Sequence, residues 1–114
     1  MSTTKIGKEA ERVASNYIER LGFKVVARNW KRPMCEIDLV ATNNDSVYFI
    51  EVKYRKSDRH GMGLDYITSK KLQQMEFSAS CWISENRYQG SYELSAIEVS
   101  GSDLKVTSFV KELT

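Results

Sequence analysis

Two stretches of this chain, Glu36-Ile-Asp-Leu-Val-Ala41 and Val47-Tyr-Phe-Ile-Glu-Val-Lys53, flank Asn43-Asn-Asp-Ser46, and this arrangement restricts the fold more tightly than any other feature. Apolar, largely β-branched and aromatic residues suit strands, while Asn and Asp tolerate the positive φ angles of tight turns. An antiparallel hairpin is expected. Successive strand side chains alternate between faces. Glu36 and Asp38 therefore share one face, with Ile37, Leu39 and Ala41 on the other. Likewise Glu51 and Lys53 share a face, opposite Tyr48, Ile50 and Val52.

With the turn centred on Asn44-Asp45, Asp38 falls opposite Glu51 and Glu36 opposite Lys53. Directly opposed residues have Cβ atoms about 4.5–5.5 Å apart, and like charges at that distance destabilise a sheet. Three acids and one lysine on adjoining strands call for a compensating charge. A divalent cation is the natural candidate, because hard oxygen ligands suit Mg²⁺. An exposed hairpin face carrying an ordinary Glu36–Lys53 ion pair accommodates the same residues without metal. A register slip of one residue would move the whole set to the other face.

Around the hairpin the rest of the chain reads as a short series of elements. From Lys5 to about Leu21 the residues Ile6, Ala10, Val13, Ala14, Tyr17, Ile18 and Leu21 recur at helical spacing, and Gly22 supplies a stop. Phe23–Trp30 is expected as a strand, with Lys31-Arg32-Pro33 as a turn. Residues 54–65 are polar, basic and glycine-bearing, as in a loop. A second helix is expected from about Thr68 to Ser84, then strands over Tyr92–Val99 and Leu104–Val110 split by Ser100-Gly-Ser-Asp103. The order α-β-β-β-α-β-β implies an α/β fold, one central mixed sheet of about five strands flanked by helices. A chain of 114 residues fits a single domain, residues 1–114.

Composition removes several classes. The apolar runs are too short to span a membrane, and the N-terminus lacks an apolar signal-peptide core. Cys35 and Cys81 are too few for a disulfide framework and lack metal-ligand spacing, so both are expected as reduced thiols in a cytoplasmic protein. The net charge is only +2. Its distribution is more informative, because Arg28, Lys31 and Arg32 cluster, as do Lys53, Arg55, Lys56 and Arg59, whereas Glu93, Glu98, Asp103 and Glu112 come later. Basic clusters attract phosphate backbones, although solvated charged surface is the commoner role of either cluster alone.

Two polar residues sit on apolar helical stripes. Glu11 borders the buried face of the first helix, and Lys71 lies between Ile67 and Met75 in the second. Long charged side chains usually snorkel to solvent from such positions. Beside the hairpin acids, Glu11 could complete a metal or water site and Lys71 could contact phosphate. His60, the sole histidine, has no evident nucleophilic partner, and Gly61 and Gly63 form no phosphate-binding loop. Trp30 and Tyr54 adjoin basic residues and could stack on bases, but burial suits Trp30 better, as it does Trp82.

In this order and spacing the residues resemble a known group. Gly7-x-x-Ala10-Glu11-x-x-Ala14-x-x-Tyr17-Ile18, Arg28-Asn29, Glu36-Ile-Asp-Leu-Val-Ala41, Glu51-Val-Lys53-x-Arg55, Lys71, Ala79, Trp82-Ile83 and Tyr92-Glu93 are similar to the YraN-like family of small bacterial proteins. That family belongs to the PD-(D/E)xK nuclease-like superfamily and looks related to Holliday-junction resolvases. The resemblance implies a restriction-endonuclease-like core. It also implies that Asp38, Glu51 and the Val52 carbonyl hold Mg²⁺ or Mn²⁺, that Lys53 orients water or stabilises developing charge, and that Glu11 supports the site. Cys35 and Ala10 stand where the family usually carries glycine, and Glu93 where it carries aspartate.

The function this implies is metal-dependent hydrolysis of phosphodiester bonds in DNA, with structured or branched DNA as one substrate class. Arg28, Arg55, Lys56 and Lys71 are the expected nucleic-acid contacts, and a homodimer is compatible with the sequence. The first alternative is a nucleic-acid-binding accessory protein that cleaves slowly or not at all. The second is a nuclease toxin domain, which would need a delivery region upstream of Met1.

Overall fold

The hairpin forms in the expected register. In the computed structural model, which describes residues 3–56 and 64–114, strand β2 (Cys35–Asn43) pairs antiparallel with β3 (Ser46–Arg55) from Leu39↔Ile50 to Asn43↔Ser46. Asn44 and Asp45 both take left-handed backbone angles, φ 49° and 66°. Those angles suit a two-residue hairpin turn whose twist matches its strands.

Helix α1 (Thr3–Arg20) and strand β1 (Lys24–Arg32) precede the hairpin, and α2 (Ser69–Asn86), β4 (Ser91–Ser100) and β5 (Lys105–Val110) follow it. The sheet order is β1-β2-β3-β4-β5; β3 and β4 are parallel and the remaining neighbours antiparallel. The mixed five-stranded sheet and the element order agree with the sequence reading. Gly22, at φ 99°, ends α1: its N–H bonds the Glu19 carbonyl at 3.1 Å while that of Phe23 bonds Ile18 at 3.0 Å. Thr68 caps α2 by accepting from the Lys71 backbone N–H at 3.1 Å.

Several boundaries differ from expectation. Lys31 and Arg32 continue β1, and only Pro33-Met34 turn, because proline's missing N–H costs nothing between two strands. Tyr54 and Arg55 belong to β3, since the parallel ladder to β4 runs on to Arg55↔Ser100. Leu104 precedes β5 in a left-handed conformation, φ 53°. Arg59, His60, Gly61 and Gly63 lie outside the described residues.

Both sheet faces are covered. On one, Ala10, Ala14 and Ile18 of α1 pack against Leu39, Ala41, Ile50, Ile97 and Val99. On the other, Met75 and Ala79 of α2 pack against Ile37, Val40, Val47, Phe49 and Leu94, with Trp82 edge-on to Phe49 at 5.5 Å. The apolar residues of the hairpin thus serve two cores, and Ile37 does not share a face with Leu39. No helix among the described residues is long and apolar enough to cross a membrane.

Candidate functional site

The break in alternation between Ile37 and Leu39 falls on Asp38. Opposite it on β1, Arg28↔Leu39 and Trp30↔Ile37 pair, but Asn29 between them sits at φ 52° and drops out of the ladder. On its other side the β2–β3 pairing ends at Leu39↔Ile50. The strands part there, and the Asp38 carboxylate fills the gap by accepting the Val52 backbone N–H at 2.8 Å. Glu36 therefore does not face Lys53 in the ladder as expected; its strand partner is Lys31.

Glu11 approaches the same point from α1, close enough for its carboxyl and that of Asp38 to perturb each other's ionisation. Burial raises Asp38 to about 7, assisted by the Glu51 charge and by Glu11 and Glu36, and opposed by the Val52 N–H. Burial also raises Glu11, against the attraction of Lys31 and the influence of the neighbouring Asp38 carboxyl. Glu51 is half-buried, and its Oε2 lies 3.0 Å from Lys71 Nζ. Helix α2 thus supplies one positive charge to the acids, from the stripe position singled out in the sequence.

Along β3 the next side chain on the Glu51 face is Lys53, whose ammonium lies 5.7 Å from the Tyr66 ring centroid. The Arg55 guanidinium is 5.5 Å from the same ring, bonds Oε2 of buried Glu98 at 2.5 Å, and also pairs with Asp65. Glu98 additionally accepts from the Thr107 hydroxyl at 3.1 Å. The Tyr66 hydroxyl is buried and has no hydrogen-bond partner among the described residues. Its pKa is raised, first by burial and then by the Glu51 and Glu98 charges.

Asp38 and Glu51 lie in a cavity of about 680 Å³ between α2 and the β1–β2 turn, whose lining includes Lys31, Arg32, Lys70 and Lys71. Of the expected nucleic-acid contacts, only Lys71 lines it. Arg28 instead lies against α1, donating to the Ser15 hydroxyl at 2.8 Å and facing Glu19 at 3.5 Å. Arg55 is committed to its two acids, while Lys56 is exposed at the end of β3. Trp30 is half-buried beneath the Arg32 guanidinium, 4.4 Å from its centroid, and the Tyr54 hydroxyl donates to the Gly101 carbonyl at 3.3 Å. Cys35 and Cys81 are both free thiols, and burial pushes Cys35 up to about 11.

Among the described residues, no three acidic, imidazole or thiol side chains are grouped so that they could hold a metal ion. Two carboxylates from adjacent strands nevertheless offer the oxygen donors that a hard cation takes, with Asp38 raised first by burial and then by the charges of Glu51, Glu11 and Glu36. Val52 presents its N–H to Asp38. Sequence reasoning missed Asn29, Lys31, Tyr66 and Glu98 as parts of this region. Glu98 carried a readable signal, being the one acid in the otherwise uncharged run Leu94–Ser100. Tyr66 carried none, because its place depends on the packing of the segment leading into α2.

Comparison with known proteins gives a consistent relationship. Residues 10–99 match the model of "Uncharacterised protein family UPF0102". A UPF0102 protein of Cytophaga hutchinsonii is 34% identical over 100 residues, covering 88% of each chain. One from Vibrio parahaemolyticus is 31% identical over 107 residues, covering 90% of this chain and 88% of its own. One from Pseudomonas fluorescens is 38% identical over 86 residues, covering 75% and 72%. The matched span runs from α1 through β4 and includes Glu11, Asp38, Glu51, Lys53 and Lys71, so the chain belongs to the uncharacterised protein family UPF0102.

Proposed function

We propose that this protein is a metal-dependent nuclease-like enzyme of the PD-(D/E)xK type that hydrolyses phosphodiester bonds in DNA in the cytoplasm. The observation that carries the reading is the meeting of Asp38, Glu51 and Glu11 where β2 and β3 part, beside a cavity with cationic walls. Asp38 and Glu51, with the Val52 carbonyl, would hold Mg²⁺ or Mn²⁺. Such a cation lowers the pKa of bound water and offsets charge on the phosphate. Lys53 follows Glu51 on the same strand face, held over Tyr66, and serves to orient water and stabilise the charge that develops on phosphate oxygens. Glu11 stands beside Asp38 and adds to the negative charge that a bound cation would offset. Lys71, paired with Glu51 here, is within the cavity to meet a phosphate oxygen when that carboxylate turns to a cation.

The same ion pair favours a second reading. Glu51 and Asp38 each already have a partner, Lys71 Nζ and the Val52 N–H, as suits an accessory protein that binds nucleic acid without turning it over. Single-turnover assays on single-stranded, duplex, flapped and four-way DNA, and on RNA, with Mg²⁺ or Mn²⁺ separate the two. Cleavage by wild type that disappears in Glu51→Gln supports the nuclease. Activity that is absent on every substrate, or unchanged in the variant, moves the accessory reading to first place.

A further inference from the structure

The cavity holds a second kind of group. Among the described residues the large hydrophobic side chains left exposed are Leu21, Val26, Met34 and Phe77. Two of these line the cavity that contains Asp38 and Glu51: Met34, 79% exposed on the β1–β2 turn, and Phe77, 51% exposed on α2. Single exposed apolar residues need no explanation. An aromatic and a thioether from different elements lining one cavity, among lysines and with the three acids Glu36, Asp38 and Glu51, form a more specific arrangement.

Helical spacing accounts for it. Lys70, Gln74 and Phe77 follow one another along a single stripe of α2, adjacent to the stripe through Leu72, Met75 and Ala79 that packs on the sheet. This stripe faces the cavity, as Lys31 does from the end of β1. Phosphates are repelled by Glu36, Asp38 and Glu51 and attracted to Lys70 and Lys31 in the same lining. A strand lying in the cavity would therefore place its backbone along the cations and turn its bases toward Phe77 and Met34. Aromatic side chains bind unpaired bases by stacking, whatever the sequence. Bases within a continuous duplex already stack on one another and present no free face.

We infer that this cavity binds a nucleic-acid strand with at least one unpaired base, stacked on Phe77, so that the site takes single-stranded or flapped substrates in preference to blunt duplex. The inference rests on the nucleic-acid part of the function proposed above and adds the substrate class. It is tested by fluorescence anisotropy in EDTA, where binding is read without cleavage, using a labelled single-stranded oligonucleotide, the same strand in blunt duplex, and a flapped duplex. Wild type should bind single-stranded and flapped DNA about tenfold more tightly than blunt duplex at one salt concentration. Phe77→Ala should weaken the first two by about tenfold, within the range for one lost base stack, and change duplex binding little. Phe77→Tyr, which keeps the ring, should retain wild-type preference; thermal melts check that both variants are folded. Equal affinity for all three DNAs, or an unchanged or uniform response to Phe77→Ala, overturns the inference. So does a concentration-dependent dimer in sedimentation that Phe77→Ala dissolves, since the exposed ring then serves a second copy of this chain. DNA cleavage indifferent to Phe77 overturns this inference alone, whereas failure to bind any oligonucleotide overturns the nucleic-acid reading as well.

Discussion

Replacing Asp38 with asparagine should stabilise the metal-free protein, and increasingly so as pH rises. The Asp38 carboxyl, raised from 3.8 to about 7, holds a proton in the folded state that it loses in the unfolded chain. Its neutral form therefore favours folding at low pH, and that contribution is lost as pH rises toward the folded value. The shift is about three pH units, each worth about 1.4 kcal/mol, which sets a ceiling of about 4 kcal/mol. Between pH 5 and 8 about two of those units are traversed, and screening at a half-buried site reduces the change to about 1–2 kcal/mol. Asparagine keeps an oxygen to accept the Val52 N–H and removes the charge that Glu51, Glu11 and Glu36 oppose. Urea denaturation of wild type and Asp38→Asn in EDTA at pH 5, 6, 7 and 8 reads the difference directly. Glu11 titrates in both proteins, so the difference between the two curves is the quantity to follow. The variant should be more stable by about 1–2 kcal/mol at pH 8, with the gap closing toward pH 5. Millimolar Mg²⁺ should raise wild-type stability and leave the variant unchanged, because ligand binding to the folded state is what stabilises. A variant less stable than wild type at pH 8, or a gap independent of pH, would refute the charge-crowding argument.

Lys53→Ala should depress single-turnover cleavage by at least about tenfold while leaving DNA affinity within about twofold, as expected of a group acting mainly in the transition state. Arg55→Met should lower the midpoint of chemical denaturation, because it leaves the buried Glu98 carboxylate without its guanidinium partner; the double variant Arg55→Met/Glu98→Gln should recover most of that loss. Lys56→Glu, at an exposed position, should weaken binding of all DNA sequences alike and flatten the salt dependence by about one phosphate contact, measured as the slope of log affinity against log salt. Lys71→Met removes the cation that faces Glu51 and should tighten Mg²⁺ binding severalfold by calorimetry, even as it weakens binding of DNA.

The parts of this fold legible in the sequence are those governed by neighbours along the chain. Turn chemistry at Asn44-Asp45 set the hairpin register, and the glycine after Leu21 marked the end of α1, because each depends on local backbone angles. Strict strand alternation then misplaced Ile37. That rule assumes a regular ladder, and the ladder is interrupted on both sides of Asp38, at Asn29 and beyond Leu39↔Ile50. The interruption is also what frees Asp38 to accept from Val52 and to meet Glu11 from the opposite direction. A regular strand would have kept Ile37 and Leu39 in one core, leaving the other core short of an apolar residue beside the acids. Here the irregularity divides the apolar residues between two cores and concentrates the carboxylates at the seam. Long-range pairing accounts for what was not legible. Arg55 looked like a phosphate ligand in a basic run, but it is occupied by Glu98 from β4 and by Asp65, contacts separated from it by 43 and 10 positions. Lys71 shows the converse: its place on an apolar stripe marked it as unusual, and its partner Glu51 supplies the physical reason for a lysine at that position. The basic runs thus divide once folded: Arg55 is committed to Glu98 and Asp65 and Lys56 is left exposed, while Lys31 from the other run lines the cavity where the acids meet.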